Sequence, residues 1–251
     1  MKTLIACVLF LLAAGAQAQG VAPSQNRVDL KTADETAIAY KLTPSFYHTS
    51  SQPDAYDVNL RGNLSTHTAW IGYYQQAGEF RQLRLGYEDT IALPFGHLTP
   101  SLQYATRGFL GGSVNAEIGE RWFGLLGFGR TNLKDYFNLN FDPNDAILFG
   151  FGTRAIPRTV LSAYEIKDDR LHTGQRIAHV VARIKPDERT RLTIDVFHKN
   201  GRASAEDEIR VRGTGVSVTL DYDRYFVRVA SDPHVNFTAD HMVRVSLGLH
   251  F

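Results

Sequence analysis

The chain has 251 residues, with 27 Lys and Arg against 26 Asp and Glu, a formal net charge of +1 and a single cysteine. The absence of a basic excess argues against a nucleic-acid partner, and one thiol excludes a disulfide framework. The length admits one large β domain, since no Pro/Ser-rich linker and no shift of composition marks a boundary.

Residues 1–18, MKTLIACVLFLLAAGAQA, join Lys2 to an apolar run from Leu4 to Ala14 and small residues at Ala16 and Ala18. That is the anatomy of a secretory signal peptide cut after Ala18, and the run is too short to cross a bilayer as a helix. Cleavage removes Lys2 and Cys7, so the mature chain is formally neutral and has no thiol. Residues 19–34, QGVAPSQNRVDLKTAD, carry no strand pattern and form a separate N-terminal segment.

From residue 35 to 251 no helix-period segment stands out, and strand follows strand. Strands are expected at roughly 36–48, 55–65, 68–76, 80–92, 98–107, 112–119, 121–131, 145–154, 158–167, 175–185, 189–199, 208–221, 225–231 and 241–251. Several alternate cleanly: Tyr56, Val58 and Leu60 against Asp57, Asn59 and Arg61, or Leu192, Ile194 and Val196 against Arg191, Thr193 and Asp195. A two-residue period places successive side chains on opposite faces of a sheet, and the lengths suit tilted membrane strands. In the twelfth strand the apolar phase shifts across GTG, so a bulge is expected at Gly213 and Gly215.

The links sort by parity. After even-numbered strands they are short (STHT, PFGH, GE, IPR, PDE, DR), and after most odd-numbered strands they are longer and polar, as in NLKDYFNLNFDPND and KNGRASAED. Short turns on one rim and long loops on the other belong to a membrane barrel. The last strand, HMVRVSLGLHF, puts Val243, Val245, Leu247, Leu249 and Phe251 on one face. An amphipathic C-terminal strand ending in Phe resembles the assembly signal of the outer-membrane β-barrel proteins of Gram-negative bacteria. The resemblance implies an all-β, transmembrane, antiparallel up-and-down barrel of about fourteen strands, with twelve the alternative. It implies an outer-membrane location, insertion by the barrel-assembly machinery, and contact with outer-membrane lipid and lipopolysaccharide. Residues 19–34 would then hang in the periplasm or plug the lumen.

Turning each strand's polar phase inward lines the lumen with Lys41, Arg61, Arg84, Arg107, Arg130, Arg154, Arg183, Arg191, Arg228 and Arg244, and with Asp57, Glu88, Glu117, Glu165 and Asp195. Opposite charges on neighbouring strands brace the wall as pairs, while a basic surplus draws anions into a pore. Tyr47, Trp70, Tyr73, Tyr74, Tyr87, Tyr104, Trp122, Tyr164, Tyr222 and Tyr225 are the candidates for aromatic girdles.

No cofactor or metal is called for. The glycines of GFGR and GFGTR lie inside strands with no helix after them, which fits close backbone packing and not a nucleotide loop. The histidines lack metal-ligand spacing, and FDPND reads as a turn-rich surface loop before it reads as a calcium site. In FYHTSSQPD, His48 and Ser50 share one face at the end of strand 1. This resembles the H-x-S pair of outer-membrane phospholipases and lipid A deacylases, with His48 as base and Ser50 as nucleophile, although Ser51-Gln52 departs from the Asn-Gly that follows in the phospholipases. The leading expectation is a passive channel for small polar or anionic solutes. An outer-leaflet lipid hydrolase and a non-conducting structural or partner-docking barrel are the alternatives.

Overall fold

The computed structural model describes residues 37–251 apart from 79 and 139–141; the expected signal peptide (1–18) and N-terminal segment (19–34) lie outside the described residues. The chain runs through β1 (Ala39–Thr49), β2 (Gln52–Leu64), β3 (His67–Gln76), β4 (Phe80–Asp89, resuming at Ile91–Leu93), β5 (Gly96–Ala105), β6 (Phe109–Gly119) and β7 (Trp122–Thr131). It continues through β8 (Ala146–Thr153), β9 (Thr159–Asp168), β10 (Arg176–Ile184), β11 (Thr190–Gly201), β12 (Val211–Tyr222), β13 (Tyr225–Pro233) and β14 (His241–His250). Each strand pairs antiparallel with the next, and β14 pairs with β1, with Lys41 opposite His250 and Tyr47 opposite Arg244. The sheet is a closed fourteen-stranded barrel, as the alternation and the even strand number predict.

The links divide as expected. Turns such as Ser65-Thr66, Glu120-Arg121 and Asp223-Arg224 lie at the rim that carries the chain's end, and the longer stretches 132–145, 169–175, 202–210 and 234–240 lie at the other. In outer-membrane barrels the rim of short turns faces the periplasm and the rim of long loops the exterior, and the two rims are named periplasmic and extracellular after that organisation. In the turn 185–189 the Asp187 carboxylate accepts the backbone N–H groups of Arg189 and Thr190, both at 2.8 Å, and these bonds hold it below the usual carboxylate range. The first extracellular link is tighter than the sequence suggests. Ser50 and Ser51 alone form the turn, β2 starts at Gln52, and the register slips between Tyr47 and Thr49.

The bulge expected at Gly213 and Gly215 is not there. The ladder of β12 with β11 runs in unbroken register through both glycines, and its ladder with β13 begins beyond them, at Val216. The apolar phase changes because Val211 faces inward, where it is buried with Ile177 and Phe237. A second account replaces the bulge. The inward aromatics Trp70, Phe123, Tyr164, Phe197 and Phe226 stand directly opposite Gly86, Gly152, Gly150, Gly215 and Gly248 on the neighbouring strand. A Cβ at any of these glycines would overlap the facing side chain, so each aromatic covers the backbone that its partner leaves bare.

Side chains of the opposite parity form an exposed apolar surface that includes Ile71, Leu85, Val180, Val218 and Leu247. Near the periplasmic rim it carries Tyr40, Tyr87, Trp122, Tyr222 and Tyr225, and nearer the other rim Tyr73 and Tyr104, all exposed as a girdle requires. Tyr47, Trp70, Tyr74 and Tyr164 are not part of it: they are buried and point into the barrel.

The last strand closes the ring through its final residue. Phe251 accepts the N–H of Tyr40 at 2.7 Å, donates its own to the Tyr40 carbonyl at 3.0 Å, and its ring stacks on Tyr40 at 5.6 Å. Val245 and Leu247 face outward beside it, while Arg244 and Ser246 are buried inside. Deleting Phe251, or replacing Val245 with Asp, is expected to reduce the folded, heat-modifiable band on gels, because a lipid-facing charge costs on the order of 2 kcal/mol. Wild-type yields of folded barrel from both variants would show that this seam is not critical.

Candidate functional site

The site is the lumen. Cross-strand register places Lys41, Arg61, Arg84, Arg154, Arg183, Arg191, Arg228 and Arg244 on the inner wall, with Asp57, Glu88, Glu117 and Asp195. Three expected lining residues are elsewhere. Arg107 lies in the turn between β5 and β6, exposed, with its guanidinium 4.4 Å from the Phe80 ring centroid. Arg130 and Glu165 face outward. Their strands point Phe123, Leu125, Tyr164 and Ile166 into the barrel, so both faces are apolar and polarity is a false guide to orientation.

Most inner charges are paired. Arg84 binds Asp57 with both side chains shielded from solvent, Arg61 donates to Glu88 at 2.9 Å, Arg154 to Glu117 at 2.5 Å, and Lys199 to Asp232 at 2.8 Å. A different grouping lies towards the periplasmic side. Lys41, 4.1 Å from the Phe226 ring centroid, is within electrostatic reach of Arg61, Arg191 and Arg228, with Asp221 the carboxylate among them. Arg228 donates to Thr219 at 3.0 Å and has Arg244 as a further cationic neighbour. Like charges held this close in a partly desolvated space repel, and an anion relieves the repulsion.

The extracellular half is filled from above. Residues of the link between β7 and β8 turn inward: Tyr136 stacks on Phe109 at 4.1 Å and Phe137 on Tyr74 at 3.4 Å. Backbone groups of the link are taken up by the wall, with the Phe137 N–H donated to Gln82 at 2.9 Å and its carbonyl accepting from Arg84 at 3.1 Å. On the opposite wall the His179 ring lies between two carboxylates. Nδ1 is 3.0 Å from Asp195 and Nε2 3.3 Å from Asp142 of the same link, while the ring stacks on Tyr164 at 4.7 Å. A ring with a carboxylate on each nitrogen donates twice, so the geometry is that of an imidazolium latch. Val235 and Phe237, from the segment between β13 and β14, add apolar filling. Between these parts remain cavities of about 50 Å³, lined by His179, Asp195, Lys199 and Arg244, and about 40 Å³, lined by Tyr47, Gln76 and Phe137.

Comparison with known proteins bears on the frame and not on the solute. No protein-family model matches the chain, and no curated protein does. Among solved structures the chain is similar to the Acinetobacter baumannii outer membrane protein Omp33, with a TM-score of 0.54 and 7% identity over 87% of this chain and 100% of that one. The chain has the fold of an outer-membrane β-barrel. More distant similarities link this barrel protein to a mutant of Rhodopseudomonas blastica porin (TM-score 0.47, 7% identity, 86% of this chain and 99% of that one) and to the KdgM porin in complex with disordered oligogalacturonate (TM-score 0.41, 10% identity, 84% and 99%).

His48 and Ser50 of the barrel protein share the outer face at the extracellular rim but do not bond to each other. His48 Nδ1 is 2.8 Å from Asp54, and both side chains are about half exposed or more, at 64% and 46%. The Ser50 hydroxyl donates to Asp240 at 3.4 Å and accepts the His241 N–H at 3.1 Å. Asp240 also takes Ser51 and Gln52, which makes this corner a knot tying the first hairpin to the last loop.

His179, Lys199 and Asp232 went unread in the sequence, although each shares strand parity with a residue that was read: Arg183, Asp195 and Arg228. Asp142 could not be read, since nothing local says that its loop turns inward. His179→Gln leaves Asp142 and Asp195 facing each other without a cation. It is expected to lower barrel stability by about 3 kcal/mol and to speed trypsin cleavage after the exposed Lys134. An unchanged unfolding midpoint with an unchanged rate of cleavage after Lys134 would show that the latch does not hold the loop.

Proposed function

We propose that the protein is a passive channel for small polar solutes with a preference for anions. The observation that carries this reading is the group Lys41, Arg191 and Arg228 in the periplasmic part of the lumen, with Asp221 as the nearby carboxylate and with Arg61, the register partner of Lys41, bonded to Glu88. Fixed lumen charge sets the local concentration of mobile ions, and guanidinium groups hold carboxylates bidentately. The porin neighbours share this fold, and the KdgM complex holds an oligogalacturonate. In this reading residues 1–18 direct export and are removed, the C-terminal strand is taken up by the barrel-assembly machinery, and the inward residues Tyr136, Phe137 and Asp142 narrow the passage. That same filling favours one second reading, a sealed barrel with a structural role.

Purified protein in planar bilayers under a KCl gradient is expected to show a reversal potential displaced towards chloride, and Lys41→Gln with Arg191→Gln is expected to bring it close to zero. The same preparation is expected to release no fatty acid from phospholipid or lipopolysaccharide. A cation-preferring channel would overturn the proposal. Absence of conductance would put the sealed barrel in its place, and hydrolysis lost in Ser50→Ala would put a hydrolase there.

A further inference from the structure

The outer face has an asymmetry that the channel reading does not use. Among the described strands, the Lys and Arg side chains that point away from the lumen are Arg81, Arg130, Lys167, Arg176 and Arg212, and all five lie at extracellular ends. The periplasmic ends carry aromatic and aliphatic residues there instead, with Asp89 the one carboxylate, 3.3 Å from His67. Three of the five form a row. Lys167 is the register partner of Arg176, and Arg176 and Arg212 are both partners of Asn200, so the cations stand on β9, β10 and β12 at one level. Neighbouring strands are about 4.8 Å apart, which puts the row within roughly 15 Å.

Partners within the chain account for part of this charge. Arg176 takes Glu165 through two bonds, at 2.7 and 2.9 Å, and Arg130 takes Asp169 in the same way, at 2.6 and 2.8 Å. Lys167 and Arg212 are exposed and make no side-chain bond among the described residues. Glu206 and Glu208 lie in the loop above, between β11 and β12, and not on the outer wall. The next outward level holds Glu165, Ala178, His198 and Thr214, and below it the wall is apolar, with Val180, Val196 and Val216 exposed. Cations on a lipid-facing wall are costly at mid-depth and cheap only at the interface, where they meet headgroups.

We infer that Lys167, Arg176 and Arg212 form a docking strip for lipopolysaccharide, taking its phosphates while the acyl chains lie on the apolar wall beneath. Charge complementarity selects an anionic headgroup. Cations on three of four neighbouring strands fit a lipid that carries more than one phosphate. Its position at the extracellular rim selects the outer leaflet.

The test uses the full chain purified in detergent, with lipid retention read by native mass spectrometry. The probes are lipopolysaccharide, the same lipid stripped of phosphate, and phosphatidylglycerol. Lipopolysaccharide is expected to bind more tightly than the other two. Lys167→Gln combined with Arg212→Gln is expected to weaken it roughly tenfold or more, while Arg81→Gln, across the barrel, leaves it unchanged. Heat-modifiable migration of each variant checks that the barrel is folded. Equal retention by the folded double variant, or equal binding of the phosphate-free lipid, would overturn the assignment. Equal binding of phosphatidylglycerol would reduce the strip to a general anionic-lipid contact and overturn it as well.

Discussion

The rest of the structure depends on one constraint: hydrocarbon offers no partner for a peptide N–H or C=O. A strand in a bilayer must therefore be bonded on both sides, and a sheet of such strands has no allowed edge. Closure of β14 on β1 satisfies it, and the ladder runs to the last residue of the chain, where Phe251 and Tyr40 exchange two backbone bonds. Everything else follows from what a closed sheet must present to lipid outside and can hold inside.

Fourteen strands make a ring too wide for its wall side chains to fill, unlike an eight-stranded one. Two solutions coexist here. Around β7 to β10 the inner wall is apolar and packs as a core, through Phe123, Leu125, Leu148, Ile166 and Val181. Elsewhere it is charged, and the charges are held in pairs such as Arg84 with Asp57 or balanced about a single ring, as Asp142 and Asp195 are about His179. A buried pair gives little net stability but makes the loss of either member expensive, so it fixes where the inward loop sits. The group around Lys41 differs because cations predominate within reach.

The frame was legible in the sequence because each lipid-facing strand must alternate, and period two needs only a few residues to be read. Orientation was legible wherever one face was polar, as in β2 and β11. It failed at Arg130 and Glu165, where Phe123 and Leu125, or Tyr164 and Ile166, make the inner face as apolar as the outer one. The interior beyond the wall was not legible. Tyr136, Phe137 and Asp142 owe their places to Phe109, Tyr74 and His179, contacts between distant strands that no local pattern encodes. At His48 and Ser50 spacing reads only what is local, and the Ser50 hydroxyl is bonded by Asp240, 190 residues along the chain.

The aromatics lying over inward glycines have a consequence for how such a wall can change. Trp70 and Gly86, or Phe226 and Gly248, divide one fixed volume between two strands. Enlarging the glycine alone forces the ring into the lumen, and shrinking the ring alone bares two stretches of backbone. Either step passes through a poorer wall, whereas a simultaneous exchange of sizes does not. Such positions are expected to drift as linked pairs, with the identity of one residue telling more about its cross-strand partner than about its neighbours in the chain.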